Sequence, residues 1–147
     1  MGFHSFKNFD STCKPLLDYV KKKQNSSPFE HSGYKLDVNE AFLGEPTNKS
    51  KFINFCNRLG FSTDSIYIRD QVHSPIFIEF HCDENRLISI LNLSETPLQL
   101  QFQYDRNVIS IEYATAYTFL GSSSHKINNP KDCNRLILIK NLDKSKL

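Results

Sequence analysis

The sequence has no tryptophan, and much of its apolar bulk comes instead from 12 phenylalanines, which read mostly as core. It contains no apolar run of the roughly 18 residues that a membrane-spanning helix needs. Nor does its start, "MGFHSFKNFDST", hold the apolar centre of a signal peptide. The Met-Gly opening fits myristoylation only in part, because Phe6 stands where Ser or Thr is wanted. Cysteine is scattered: Cys13, Cys56, Cys82 and Cys133 form no CxxC pair. That spacing argues against a zinc knuckle or a disulfide framework, and for free thiols in a reducing compartment. The expectation is a cytoplasmic monomer with no membrane partner. An excess of one charge is lacking too: 18 Lys and Arg stand against 16 Asp and Glu, a formal net charge of +2. A dedicated nucleic-acid binder carries a larger basic surplus, so contact with a polyanion is permitted and not required. There is no internal repeat and no low-complexity tract.

What remains has the size and composition of a soluble globular unit with a real core. "DSTCKPLLDYVKKK" reads as a helix, with Asp10, Ser11 or Thr12 as its N-cap and Pro15 near its first turn. Leu16, Leu17 and Val20 form its apolar stripe, and Lys21, Lys22 and Lys23 read as its solvated end. "NKSKFINFCNRLG" reads as a second helix, with Phe52, Ile53, Cys56 and Leu59 on one face and Gly60 as its stop. The polar stretch between them reads as loop with one short strand near Tyr34–Val38. From Ser65 the pattern changes to short apolar runs: "SIYIRD", "IFIEFHC", "LISILNL", "LQLQFQY", "NVISIEY", "AYTFL", "HKIN" and "RLILIKN". "LQLQFQY" and Ile109-Ile111-Tyr113 alternate with period two, and Ile, Tyr and Phe dominate, as strands prefer. So many short strands in about eighty residues make a sandwich or jelly roll. The expected fold is α+β, a single domain over 1–147. Residues 1–60 would be a helical and lid region, and 61–147 a jelly-roll (double-stranded β-helix) core.

The stretch "IFIEFHCDENRLISILNLS" places His81 and Asp83 two residues apart at the end of a strand-like run. Residues i and i+2 of a strand point the same way, so both side chains can converge on one ion while Cys82 points away. Two imidazoles and a carboxylate on one face, with other positions open, form the facial triad of non-haem iron(II). His125, after the Gly-Ser break in "FLGSSSHKIN", is the candidate third ligand, since a jelly roll sets distant strands side by side. Ten residues on, Arg135 opens the apolar run "RLILIKN". A cation at the mouth of such a strand is costly unless it meets an anion, and a dicarboxylate co-substrate would be one.

In order and rough spacing, His81-x-Asp83, His125 and Arg135 resemble the 2-oxoglutarate/iron(II) dioxygenases, and within them the AlkB-like nucleic-acid demethylases. The compact domains in replicase polyproteins of plant RNA viruses look most alike. "IEFHCDEN", "LISILNLS", "LQLQF", "SSSHKI" and "NRLILIKN" carry the likeness, over roughly Ser65–Leu142. The resemblance implies iron(II) held by His81, Asp83 and His125, and 2-oxoglutarate held by the iron and Arg135. It further implies methylated single-stranded RNA or DNA as partner, a methyl group leaving as formaldehyde. The family's second arginine, six residues beyond the first, is here Asn141, with Lys140 beside it. Its asparagine/tyrosine pair before the metal motif has no clear match in "YIRDQVHSP", where Tyr67 and Arg69 alternate.

Other readings stand beside this one. His81 and Asp83 also admit the plainer reading of a polar turn, and Arg135 that of a surface partner of Asp132 or Asp143. Cys13 near a helix N-terminus, with His125, would make a viral cysteine-protease dyad, although no oxyanion-hole motif surrounds it. A jelly roll with a degenerate site would be a catalytically inactive binding module.

Overall fold

A computed structural model describes residues 2–5, 10–24, 34–69, 79–83, 85–128 and 134–142. A short strand β1 (Gly2–Ser5) precedes helix α1 (Asp10–Gln24), and β2 (Tyr34–Lys35) precedes α2 (Val38–Ala41) and α3 (Pro46–Leu59). Seven strands follow: β3 (Ile66–Arg69), β4 (Arg86–Asn92), β5 (Leu98–Phe102), β6 (Val108–Ile111), β7 (Thr115–Leu120), β8 (His125–Asn128) and β9 (Arg135–Asn141). These match seven of the eight apolar runs. The first three residues of the run "IFIEFHC", 76–78, fall outside the described residues; the rest forms no named strand, but His81 forms an antiparallel bridge with His125.

The strands make two antiparallel sheets. The larger has the order β1-β7-β4-β9-β3-β2 and the smaller β6-β5-β8, which the His81 bridge extends beyond β8. From β3 onward the chain winds between the sheets, so that β3, β9, β4 and β7 share one layer. The His81 segment, β8, β5 and β6 share the other. That order is a double-stranded β-helix, a jelly roll with some helices added.

Alternation along the strands gives the large sheet two covered faces. Ile66, Ile68, Leu91, Leu136 and Leu138 turn to one side, where α1 and α3 lie against them through Leu16, Val20, Phe52 and Phe55. Ile88, Ile90, Phe119 and Ile137 turn to the other and meet Leu98, Leu100, Ile111 and Ile127. Each aliphatic side chain so buried contributes about 1.5–3 kcal/mol. A slip of one residue in β4 or β9 would move its whole set to the wrong face, so the register is strongly specified. Asn92 ties the crossover between sheets: its amide donates to Thr96 O at 3.0 Å and Ile111 O at 2.9 Å, and its Oδ1 accepts from Ser94 N at 2.8 Å.

Several local readings are corrected. Helix α1 starts at Asp10, so Thr12 lies within it; buried, Thr12 donates its hydroxyl to Asn48 Oδ1 at 3.1 Å and ties α1 to α3. Pro15 lies inside α1. The short strand ends at Lys35; Asp37 then caps the one-turn helix α2, accepting from Glu40 N at 3.0 Å. Helix α3 starts at Pro46 and ends as read, with Gly60 left-handed at φ 86°. At the end of α1, Lys22 and Lys23 meet Glu40 at 3.8 and 3.2 Å, an ordinary surface cluster worth little. The strand β1, paired with β7 along the sheet edge, was not read from the sequence.

Candidate metal centre

A cavity of about 460 Å³ opens between the two sheets. Its walls include Tyr67 and Arg69 from β3, Arg135, Ile137, Ile139 and Asn141 from β9, and Arg86, Ile88 and Ile90 from β4. His81, Asp83 and His125 stand at its edge, and their ligand atoms lie within 4.8 Å of one another. None of the described residues between 2 and 60 lines it. Helices α1 and α3 support the large sheet from behind.

Backbone pairing brings the three side chains together. His81 N donates to His125 O and His125 N to His81 O, both at 3.0 Å, which sets the two histidines side by side across a strand bridge. Asp83 N then donates to Gly121 O at 2.7 Å, pinning the segment to the end of β7. The side chains follow the i, i+2 rule: Cys82 is exposed and takes no part in the triad.

The hydrogen bonds decide what the cluster can do. His81 Nδ1 lies 3.0 Å from Glu79 O, and His125 Nδ1 lies 2.6 Å from Ser123 O. A carbonyl oxygen only accepts, so each Nδ1 must carry the proton and donate it. In a neutral ring Nε2 is then a bare lone pair. Both Nε2 atoms face Asp83 Oδ2, at 3.5 and 3.6 Å. Those separations exceed the roughly 2.7–2.9 Å of a charge-assisted hydrogen bond. Burial, the dominant effect, lowers the pKa of His125 and so favours its neutral ring. With both rings neutral, three lone pairs converge with no hydrogen among them, an arrangement that a cation relieves. Fixing the ring through its other nitrogen is what supporting shells do for metal-ligating histidines. His125 is 3% exposed and rests edge-on against Phe119 at 4.8 Å, while His81 and Asp83 are partly open to solvent. A closed back and an open front suit an ion that keeps free positions. The donor set therefore fits iron(II).

Gly121, not singled out as a site residue in the sequence, holds this geometry. A methyl group there would press on the Asp83 carbonyl oxygen and stand 3.0 Å from Asp83 Cβ and Ile88 Cδ1. Only a glycine lets the two chains approach so closely. Gly121→Ala is expected to displace Asp83 and to weaken metal binding by about 10–100-fold, as loss of a supporting partner does elsewhere. Calorimetric titration with manganese(II) measures this; wild-type affinity in the variant would mean that Gly121 does not set the position of Asp83.

Arg135 is 2% exposed and faces the cavity, which corrects the reading of it as a surface residue; Asp132 and Asp143 lie outside the described residues. Asn141 shares the cavity face while Lys140 is on the opposite one. Arg86, directly across from Asn141 on β4, also lines the cavity at that end. Tyr67 and Arg69 also line the cavity, although the sequence assigned them no clear part.

The cysteine-protease reading is corrected by the layers. Cys13 is 1% exposed in the core between the helices and the large sheet, whereas His125 lines the cavity on that sheet's other face. A sheet separates the two side chains, so they cannot form a dyad. Cys56 is equally inert, burial pushing its thiol up to about 12. Cys13→Ala and Cys82→Ala are each expected to leave metal affinity within twofold of wild type in the same titration. A larger loss in Cys82→Ala would mean that the strand alternation at 81–83 had been misassigned.

No family model matches this sequence, and no curated protein matches it. Among solved structures, a prolyl-4-hydroxylase from Pseudomonas putida is similar at 15% identity, over 88% of this chain and 78% of that one, with a TM-score of 0.49. An RmlC-like cupin protein from Desulfovibrio desulfuricans is similar at 14% identity, over 54% of this chain and 85% of that one, with a TM-score of 0.37.

Proposed function

We propose that this protein is an iron(II)- and 2-oxoglutarate-dependent oxygenase. The observation that carries the reading is the convergence of His81 Nε2, His125 Nε2 and Asp83 Oδ2 at the edge of a cavity whose wall holds the buried Arg135. The strands set the scale. Phe119, which touches His125, pairs with Ile88 on β4, and Arg135 pairs with Asn92 four residues along. At strand rise that is about 13 Å. A short dicarboxylate and a long arginine side chain together span such a gap. His81, Asp83 and His125 would hold the metal, and Arg135 the far carboxylate of 2-oxoglutarate.

When bound, iron(II) with 2-oxoglutarate and dioxygen supplies an oxidant strong enough to hydroxylate a carbon, with succinate and carbon dioxide as co-products. The residues of the chain do the rest. The two backbone-anchored imidazoles fix the ligand face, and Ile88, Ile90, Ile127 and Ile137 supply the apolar part of the cavity wall. The partly open side, where His81 and Asp83 meet solvent, is where a substrate can approach.

For the substrate we propose an N-methylated base in single-stranded RNA or DNA, on the strength of the sequence likeness to AlkB-like enzymes. A base must leave its stack to reach such a centre, which favours single strands. Succinate and formaldehyde should form together, in equal amounts, from iron(II), 2-oxoglutarate and a methylated single-stranded oligonucleotide. Succinate without formaldehyde would retain the oxygenase and move the substrate elsewhere. If neither forms and the protein binds the oligonucleotide, the chain is a binding module.

A further inference from the structure

The two layers of the sandwich do not end together. The small sheet runs from the His81 bridge through β8 and β5 to β6, and β6 lies against β7. The large sheet continues one strand further, to β1. Phe3 stands across from Tyr117 in that pairing and touches its ring at 4.8 Å, so it turns to the inner face with Tyr117. Among the described residues no strand lies opposite β1, and Phe3 is 54% exposed. The seam is hollow. A cleft of about 220 Å³ opens beside β6, lined by Tyr117 and Phe119 on one side, Phe102 and Ile109 on the other, and Asp105 and Asn107 at its rim. It is smaller than the roughly 300–1,000 Å³ of small-molecule sites and suits a single side chain.

The outer edge of β6 offers backbone groups to the strand that would carry such a side chain. Phe102 N donates to Asn107 O at 3.0 Å. Antiparallel pairs alternate, so Ile109 and Ile111 bond to β5, and the N–H and C=O groups of Val108 and Ser110 point outward. Among the described residues nothing pairs with that edge. The strand, "VISI", lacks the Lys, Pro or charge that guards an idle edge, and Val108 is 55% exposed.

We propose that β6 and the cleft beside it dock an extended peptide segment of a partner protein, added as the next strand of the small sheet. That strand lies opposite β1 and covers Phe3, which completes the second layer. Every second side chain of the segment turns inward, one of them into the cleft. Large apolar residues fit those positions, and Asp105 at the rim disfavours an acidic one. A nucleic-acid strand brings no peptide ladder to an open edge, whereas strand addition uses both the edge and the pocket. The proposal is independent of the oxygenase reading, since none of the three candidate metal ligands lies on β1 or β6.

The test is selection on the full 147-residue chain from a display library of random peptides, each about ten residues and so long enough for one strand. Binders should carry apolar residues at alternate positions. Affinity of the best binder, read by fluorescence anisotropy, should fall at least about tenfold in Val108→Pro. That change removes an outward N–H and breaks no bond to β5. Val108→Lys keeps the backbone, places a charge on the edge and should weaken binding too, so the test stands even if the proline variant does not fold. Phe3→Ser should weaken it about fivefold through lost apolar cover. In the complex, hydrogen exchange should slow at the Val108 and Ser110 amides and change little at Ile109, which already bonds to β5. Absence of any enriched sequence overturns the proposal, as does a binder indifferent to both Val108 variants. Self-association of wild type that Val108→Lys abolishes also overturns it, because the occupant is then a second copy of the chain. Protection of the same amides by a single-stranded oligonucleotide overturns it equally.

Discussion

Asp83→Ala will abolish binding of iron(II), and of its inert stand-in manganese(II), while the protein stays folded. The expectation follows from the lone-pair geometry. Asp83 Oδ2 is the atom both Nε2 atoms face, and it brings the triad's negative charge. Without it two imidazoles remain, too few to hold a weakly bound divalent ion. The loss should exceed the roughly 10–100-fold that removal of a mere supporting partner costs. His81→Ala should do the same. Both residues are partly exposed, so neither substitution opens a buried cavity, and unfolding temperatures should stay close to wild type. His125→Ala is a poorer test, since at 3% exposure its ring is also packing against Phe119. Asp83→Asn keeps the shape and one oxygen donor but removes the charge, and should retain only weak binding. Manganese(II) titration followed by magnetic resonance reads all of these. Full affinity in both Asp83→Ala and His81→Ala would sink the metal centre.

The parts of this site that could be read from the chain are those governed by local periodicity. Alternation placed His81 and Asp83 on one side and Cys82 on the other, and the same rule put Asn141 in the cavity and Lys140 outside it. The run "LISILNL" announced a strand without its faces, and the structure turns Ile88 and Ile90 to one layer and Leu91 to the other. Pairing between distant strands is what a linear pattern does not show. Arg69 and Arg135 are 66 positions apart, and their meeting depends on β3 lying beside β9. Gly121 looked like a turn residue in "FLGSSSHKIN"; that it backs onto Asp83 depends on packing in three dimensions. The cysteine dyad failed for the same reason, because nothing local to Cys13 says which face of the sheet its helix covers. Strand β1 carried too short a run to announce itself, and its place was decided by the open edge of β7.

Arg135→Ala is expected to raise the 2-oxoglutarate requirement more steeply than any other single change away from the metal. Arg135 is 2% exposed and held on β9 between Asn92 and Arg69. A guanidinium so desolvated meets a carboxylate with little competition from water, and its planar fork matches both oxygens. Truncating one partner of a buried charge pair costs about 2–5 kcal/mol, roughly 30-fold to several-thousand-fold in affinity. No neighbour on β9 can take over: Asn141 is uncharged, and Lys140 is on the face away from the cavity. Arg135→Lys should rescue in part, since it restores the charge as a point without the fork. Arg135→Met separates chemistry from packing, because it fills similar space with no charge and should behave like Arg135→Ala toward the ligand while unfolding closer to wild type. Two readouts are needed, 2-oxoglutarate titration of the manganese(II)-loaded protein and succinate formation at varied 2-oxoglutarate. Manganese(II) affinity itself should be unchanged in all three variants, because Arg135 is not one of the three ligand residues. If Arg135→Ala and Arg135→Met bind 2-oxoglutarate as wild type does, the co-substrate does not lie along this cavity. The metal centre then stands without Arg135.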